Sequence, residues 1–437
     1  MIFQEINWIR SNIDKFSPSL RKQALEWYRP FRFVPCFLQK KLKALRQRIH
    51  KLPVIVQLQT VGEYRSYTCI TAKSAGCKIK RDLSSINSFS AKVNAKTLEK
   101  LVKDNNVRKV WYDDVVKAVL DIASPAVKAP VAWNSSITGK GIGIAVIDTG
   151  IYPHDDLSGR IIAFKDLVNK KAKPYDDNGH GTHVAGDIAS DGSQYKGTAP
   201  AAYVIGVKVL NKLGSGRLST VIDGIQWCIE NKNKYFIRVI NLSLGSPASV
   251  SYADDPVCQA AEAAWNSGIV VCAAAGNEGP EKNTIASPGI HPSIITVGAM
   301  DDNNSLDFDR YEVASFSSRG PTVDGLVKPD LLSPGTNIIS LRSPKSTLDK
   351  QNKGSRVGAK YASLSGTSMA APVCSGIVAL MLEANGRLTP DSIKEILKST
   401  SRPIQNANEN AQGKGVIDAE AAINYIFRVN RALENMH

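Results

Sequence analysis

Gly143-Ile144-Ala145-Val146-Ile147-Asp148-Thr149-Gly150 is an unbroken apolar run closed by a carboxylate and a glycine turn. Continuous apolar runs of this length mark strands buried on both faces of a parallel sheet. In open α/β sheets, ligands gather beyond the carboxyl ends of such strands, and Asp148 stands at that end. A second segment, Asn178-Gly179-His180-Gly181-Thr182-His183-Val184-Ala185-Gly186, sets a histidine between glycines ahead of a small-residue helical stretch. A third, Leu364-Ser365-Gly366-Thr367-Ser368-Met369-Ala370-Ala371-Pro372, runs into the apolar stretch Gly376-Ile377-Val378-Ala379-Leu380-Met381-Leu382. Ser368 is thereby predicted at a helix N-terminus, where free N–H groups and the dipole favour a developing negative charge. A fourth, Cys272-Ala273-Ala274-Ala275-Gly276-Asn277-Glu278-Gly279, offers a carboxamide after a strand, a donor suited to an oxyanion.

Each segment alone has an ordinary reading, since most serines at helix starts are simple caps. A single Asp-Thr-Gly would serve an aspartic protease only in a homodimer, because that chemistry needs two carboxylates. The His180/His183 pair lacks the His-Glu-x-x-His pattern or a nearby Cys pair for zinc. An α/β-hydrolase needs its histidine after the serine, and only His437 follows Ser368. The order Asp, His, Ser remains, which is the subtilisin order. Asp148-Thr149-Gly150, His180-Gly181-Thr182-His183, Ala274-Ala275-Gly276-Asn277 and Gly366-Thr367-Ser368-Met369-Ala370 resemble the signature blocks of the subtilisin-like serine proteases, the subtilases. The interval of 32 residues from Asp148 to His180 also fits that family.

This resemblance implies a serine endopeptidase working through an acyl-enzyme, with no cofactor for chemistry and polypeptides as substrates. Ser368 is then the nucleophile, His180 the base, Asp148 its orienting carboxylate, and Asn277 with the Ser368 N–H the oxyanion hole. The choice of His180 over His183 comes from the resemblance; spacing alone leaves both open. Lys212-Leu213-Gly214-Ser215-Gly216-Arg217 and Ile240-Asn241-Leu242-Ser243-Leu244-Gly245 resemble the two edge segments that subtilases align beside an extended substrate. The implied substrate-binding residues are Gly214, Ser215, Gly216, Ser243, Leu244, Gly245, Ala274 and Gly276, with broad specificity and a large apolar residue before the scissile bond. The implied fold is a doubly wound α/β domain over 121–437, a mostly parallel sheet with helices on both faces.

Charge divides the chain unevenly. Residues 1–120 carry 24 Lys+Arg against 9 Asp+Glu, whereas 121–437 carry 31 of each, so the net +15 lies wholly in the first part. A basic solvated arm is the ordinary reading; no aromatic RNA-binding signature accompanies it, and nucleic acid is not expected as a partner. Residues 1–50 are predicted as a basic helical extension with a break at Pro30. Residues 51–120 read as strand (54–58), strand (88–93), helix (96–104) and strand (107–112), which resembles the second half of the small ferredoxin-like α+β propeptide of subtilases. The resemblance implies a self-processing zymogen whose prosegment is its own inhibitor and folding aid, with the junction between Tyr112 and Pro125.

Seven scattered cysteines without Cys-x-x-Cys pairs read as reduced thiols, and the charged N-terminal stretch lacks an apolar leader. With no apolar span of 18 residues in view, no membrane span is expected and the cytoplasm is the expected compartment. The segment 186–200 is shorter than the calcium loop of secreted subtilisins and poor in oxygen ligands. No metal ligand is assigned, and a structural calcium is left open with Asp155 or Asp156 as the carboxylates to serve it. Residues 342–360, polar and basic, are expected as a mobile insertion. Together these features are similar to the AprX-type intracellular subtilases of bacilli.

Overall fold

The computed structural model describes residues 6–31, 36–59, 64–83, 87–113 and 122–434. The chain divides into two compact units, Met1–Ala118 and Val119–His437. In the first, β1 (Leu52–Leu58), β2 (Ile79–Leu83), β3 (Ser88–Val93) and β4 (Val107–Tyr112) form an antiparallel sheet ordered β2-β3-β1-β4. Helices Tyr64–Ala75 and Ala95–Lys103 supply the crossovers, completing a ferredoxin-like βαββαβ unit. The sequence reading missed the first helix and β2. The reason for β2 is visible: Lys80, Arg81 and Asp82 are all exposed on this edge strand, so no apolar alternation marks it.

The boundary expected at residue 50 is not a boundary in packing. Trp8, Phe16, Leu20, Ala24 and Trp27 share one apolar cluster with Val54, Val56, Phe89, Leu98 and Val110. Ser17 caps the helix Pro18–Glu26 through the Leu20 N–H, and the same hydroxyl accepts the Tyr112 N–H at 3.2 Å. A four-stranded unit this small buries little apolar surface by itself, and these aromatic residues enlarge its core.

The second unit is built on β5 (Gly143–Asp148), β6 (Ile161–Asp166), β7 (Tyr203–Lys208), β8 (Ile237–Leu242), β9 (Val270–Ala274), β10 (Ile295–Asp301), β11 (Glu312–Val313) and β12 (Leu331–Pro334). They form one sheet ordered β11-β10-β9-β8-β5-β7-β6, with β12 also on β10, and only the β10–β11 pairing is antiparallel. Every residue of β5 is buried, as its unbroken apolar pattern requires. Because β7 flanks β5 on one side and β8 on the other, the chain winds away in both directions and leaves a crevice at the β5 carboxyl end.

The helix Thr367–Ala384 packs against β8, β9 and β10. With 18 residues and a mean hydropathy of 1.5 it meets the length and composition of a membrane span, but 83% of it is buried in the core. The expectation that no apolar stretch of 18 residues exists is corrected to this extent: the stretch exists and its solvent is protein. Its close approach needs Gly376, where a Cβ would stand 1.9 Å from Thr198 Oγ1. A further small sheet, β13 (Ile338–Leu341), β14 (Arg356–Val357) and β15 (Tyr361–Leu364), is ordered β13-β15-β14.

The expected mobile insertion at 342–360 connects β13 to β15 and is tied down at its centre. Asp349 is buried and receives Arg342 Nη1 at 2.6 Å, Arg356 Nε at 2.7 Å and the Lys345 N–H at 2.9 Å. Burial alone would raise the Asp349 pKa; the hydrogen bonds from Arg342, the Lys345 amide and Arg356 outweigh it and hold it below the ordinary value. Two of the six basic residues that read as solvation in the sequence, Arg342 and Arg356, are here the partners of one carboxylate, while Lys345, Lys350, Lys353 and Lys360 stay exposed.

Candidate active site

β5 carries Asp148 to the carboxyl edge of the sheet, where the side chain is wholly buried. Its Oδ1 and Oδ2 lie 2.8 and 2.9 Å from His180 Nδ1, and Oδ1 also accepts the Thr149 N–H at 2.7 Å. His180 opens the helix His180–Ala189, and Gly181 permits the helix to come so near. A Cβ on Gly181 would sit 2.2 Å from the Gly150 carbonyl oxygen. The imidazole is 22% exposed, and Nε2 has no intramolecular partner among the described residues. Burial acts against the imidazolium, but the adjacent Asp148 carboxylate outweighs it, so the His180 pKa is raised above 6.5.

Two residues that sequence reasoning passed over hold this pair in place. Asp176 is buried and accepts from Thr149 Oγ1, the Asn178, Gly179 and Thr182 N–H groups and Thr182 Oγ1, all within 3.1 Å. It therefore fastens the turn after Asp148 to the first turn of the His180 helix. Burial drives its pKa upward, and the bonds from Thr182 and Gly179 limit the rise. Lys208, fully buried at the end of β7, donates to Thr149 O, to Asp177 Oδ1 at 2.8 Å and to Leu210 O at 2.9 Å. The available signal for Asp176 was its place in Asp176-Asp177-Asn178-Gly179 before the histidine, a capping-type cluster. His183 is buried elsewhere, with Nδ1 on Asp187 Oδ2 at 3.1 Å and Nε2 at 3.1 Å from both Ile338 O and Ala362 O.

Ser368 lies in the first turn of the helix Thr367–Ala384. Pro372 has no N–H, so the Ser368 carbonyl lacks its helical donor, and Ser243 Oγ takes that place at 2.7 Å. Ser243 Oγ in turn accepts from Asn241 Nδ2, whose Oδ1 accepts from Ser375 Oγ, both at 2.9 Å. The Ser368 hydroxyl donates to Ser243 O at 3.1 Å. Asn277 Oδ1 accepts the Thr367 N–H at 2.9 Å and Thr367 Oγ1 at 3.0 Å. A backbone N–H can only donate, so this fixes the amide orientation and leaves Nδ2 without a protein acceptor among the described residues.

Two cavities meet at Leu244, Gly245 and Ser246. One, of about 630 Å³, is lined by Ala274, Gly276, Asn277, Ile285, Thr367 and Ser368. The other, of about 550 Å³, holds His180, Gly214, Ser215, Gly216, Ser243 and Leu348. Together they collect every residue assigned from the sequence except Asp148, which stands behind His180. Around the 186–200 segment and Asp155/Asp156, left open for a structural calcium, the oxygen atoms already have protein partners. The carbonyls of Asp156, Ala189 and Pro200 accept from the Arg160 guanidinium, which also pairs with Asp191 at 3.2 Å. Asp155 is taken by Lys360 and Asp156 by the Tyr361 hydroxyl, at 2.8 and 2.7 Å.

The subtilase family profile matches residues 139–415, which contain all of these groups. Serine protease AprX of Bacillus subtilis is 47% identical over 437 residues, covering 96% of this chain and 99% of the relative. Subtilisin E of the same organism is 35% identical, with 79% of this chain and 83% of the relative covered. Subtilisin Savinase of Lederbergia lenta is 37% identical over 68% of this chain and 96% of its own length. Sequence similarity and a mostly parallel sheet with the Asp148–His180 pair at its carboxyl edge lead to one assignment: the chain belongs to the subtilase family, as a subtilisin-like serine endopeptidase of the AprX type.

Proposed function

We propose that Asp148, His180 and Ser368 form the catalytic triad, and that Asn277 Nδ2 with the Ser368 N–H binds the oxyanion. The carrying observation is a buried carboxylate on an imidazole that lines one cavity, with a helix-start serine and a carboxamide with a free N–H in the cavity that adjoins it at Leu244, Gly245 and Ser246. The triad requires Ser368 Oγ to leave Ser243 O and donate to His180 Nε2 instead, and such bonds commonly tighten only when substrate enters. Oγ then attacks the scissile carbonyl while Nε2 takes its proton, Asp148 stabilises the imidazolium, and the leaving amine recovers that proton. Water, deprotonated by the same imidazole, releases the acyl group and regenerates Ser368.

A large apolar residue before the scissile bond suits the cavity of about 630 Å³, whose walls include Leu244, Ala274, Gly276 and Ile285. The unit Met1–Ala118 is the proposed prosegment, inhibitor and folding aid, and its ferredoxin-like fold supports that role. Release would occur between Tyr112 and Pro125, where residues 114–121 lie outside the described residues. The cytoplasm is the proposed compartment, supported by six described cysteines that are all free thiols.

Intact mass of wild type and Ser368→Ala, each incubated with casein, tests the reading. Wild type is expected to lose its first unit and digest casein, while Ser368→Ala stays whole with activity down about 10⁶-fold, a magnitude taken from subtilisin itself. Equal casein digestion by both proteins would remove Ser368 from the mechanism. A wild type that stays whole yet digests casein would remove the zymogen.

A further inference from the structure

We propose that the 342–360 insertion is a specificity element, and that Leu348 forms the wall that reads the second residue before the scissile bond. The inference rests on the triad assignment above. Its first support is where the insertion is anchored. Leu348 N–H donates to Asn178 O and Thr347 N–H to Asp177 O, both at 2.9 Å, while Ser343 Oγ donates to Asp176 O at 2.7 Å. These carbonyls belong to the residues immediately before His180. Gly179 completes the fit, since a Cβ there would lie 2.6 Å from Ser346 Oγ.

The second support is what the anchored segment presents. The clamp of Arg342 and Arg356 on Asp349 fixes the short helix Thr347–Gln351. Leu348 then lines the cavity that also contains His180, Leu210 and Gly214. Ser368 and Asn277 line the other cavity, so the residue preceding the cleaved bond enters there. Successive side chains of an extended peptide point to opposite sides. The residue one step earlier therefore faces the His180 cavity and meets Leu348. A leucine or phenylalanine there gains apolar contact; glycine or serine leaves Leu348 and Leu210 in water.

The test uses full-length protein and fluorogenic peptides that share one P1 residue and carry Leu, Phe, Gly or Ser at P2. Wild type is expected to favour Leu over Gly at P2 by about tenfold in kcat/KM, a ratio in the range of one apolar pocket contact. Leu348→Ala should cut that ratio to about a third or less, leave preferences in a P1 series unchanged, and retain wild-type labelling of Ser368 by a fluorophosphonate. Leu348→Met, which refills the wall, should restore the ratio. A P2 ratio unchanged in a Leu348→Ala protein that still labels normally overturns the inference, as does an equal loss on every peptide. If wild type itself fails to label, the triad assignment falls and the inference with it.

Discussion

His180, the proposed base, can take a proton only when neutral, and its surroundings set the pH at which that holds. Burial lowers its pKa and Asp148 raises it more, leaving it above 6.5. The acid limb of kcat/KM should therefore have its midpoint above 6.5, read from a pH–rate profile with a short peptide. A midpoint below 6.5 would mean that Asp148 does not control the imidazole. At Asn277 the amide is already oriented by Thr367, so Asn277→Ala removes one prepared donor with little repacking. We expect kcat to fall about 10²–10³-fold with KM nearly unchanged, a magnitude known from the corresponding subtilisin donor. A loss confined to KM would place Asn277 in ground-state binding instead.

The helix Thr367–Ala384 carries Ser368, the proposed nucleophile, in its first turn and core along its length, so its seat bears on both stability and the proposed chemistry. Gly376→Ala would drive a methyl group into Thr198 Oγ1, and the helix or the 198 loop must shift. The expected cost is about 1–3 kcal/mol in urea unfolding, partly recovered by adding Thr198→Ala. No cost would show that the helix has slack there. The insertion behaves differently because its ties are local. Asp349→Ala leaves the Arg342 and Arg356 guanidinium groups without their shared partner, and should make 342–360 sensitive to limited proteolysis while the global Tm changes little. Unchanged proteolysis would show that the clamp is not what holds the segment.

Across the second unit, a buried charged trio joins the sheet to the helix Pro390–Thr400. Asp330 takes Lys328 Nζ at 2.6 Å and Lys394 Nζ at 3.0 Å, and Lys328 also donates to Ile294 O and Thr296 Oγ1. Burial, assisted by Lys394, lowers the Lys328 pKa from 10.5 to about 7, against the pull of Asp330. Nearby His291 is also lowered, first by burial and then by the two lysines, against Glu262. Between about 7 and 10.5 the unfolded chain binds the Lys328 proton and the folded protein does not. Stability from this group therefore rises with pH across that window. Relative to Lys328→Met, wild type should gain up to about 1.4 kcal/mol per pH unit there, measured by denaturant unfolding from pH 7 to 10. A difference independent of pH would show that Lys328 keeps its proton.

Residue order and local pattern carried the α/β class, the four signature segments and the buried character of β5, because continuous apolar runs and glycine-flanked polar residues report local structure directly. The ferredoxin-like half with apolar strands was readable for the same reason, and the charged edge strand β2 was not. Contacts between distant segments had no such local mark. That Trp8 and Trp27 enter the first unit's core, that Asp176 also takes Thr149 Oγ1 from 27 residues away, and that Arg160 gathers the carbonyls of Ala189 and Pro200 all depend on groups brought together by folding. The 342–360 segment shows the limit most plainly. Its composition reads as solvated loop, yet a single buried carboxylate 7 residues from each of two arginines turns those two of its six basic residues inward and fixes the short helix whose Leu348 lines the His180 cavity. A charged residue has the same letter whether it faces water or a partner, and only the path of the backbone settles which.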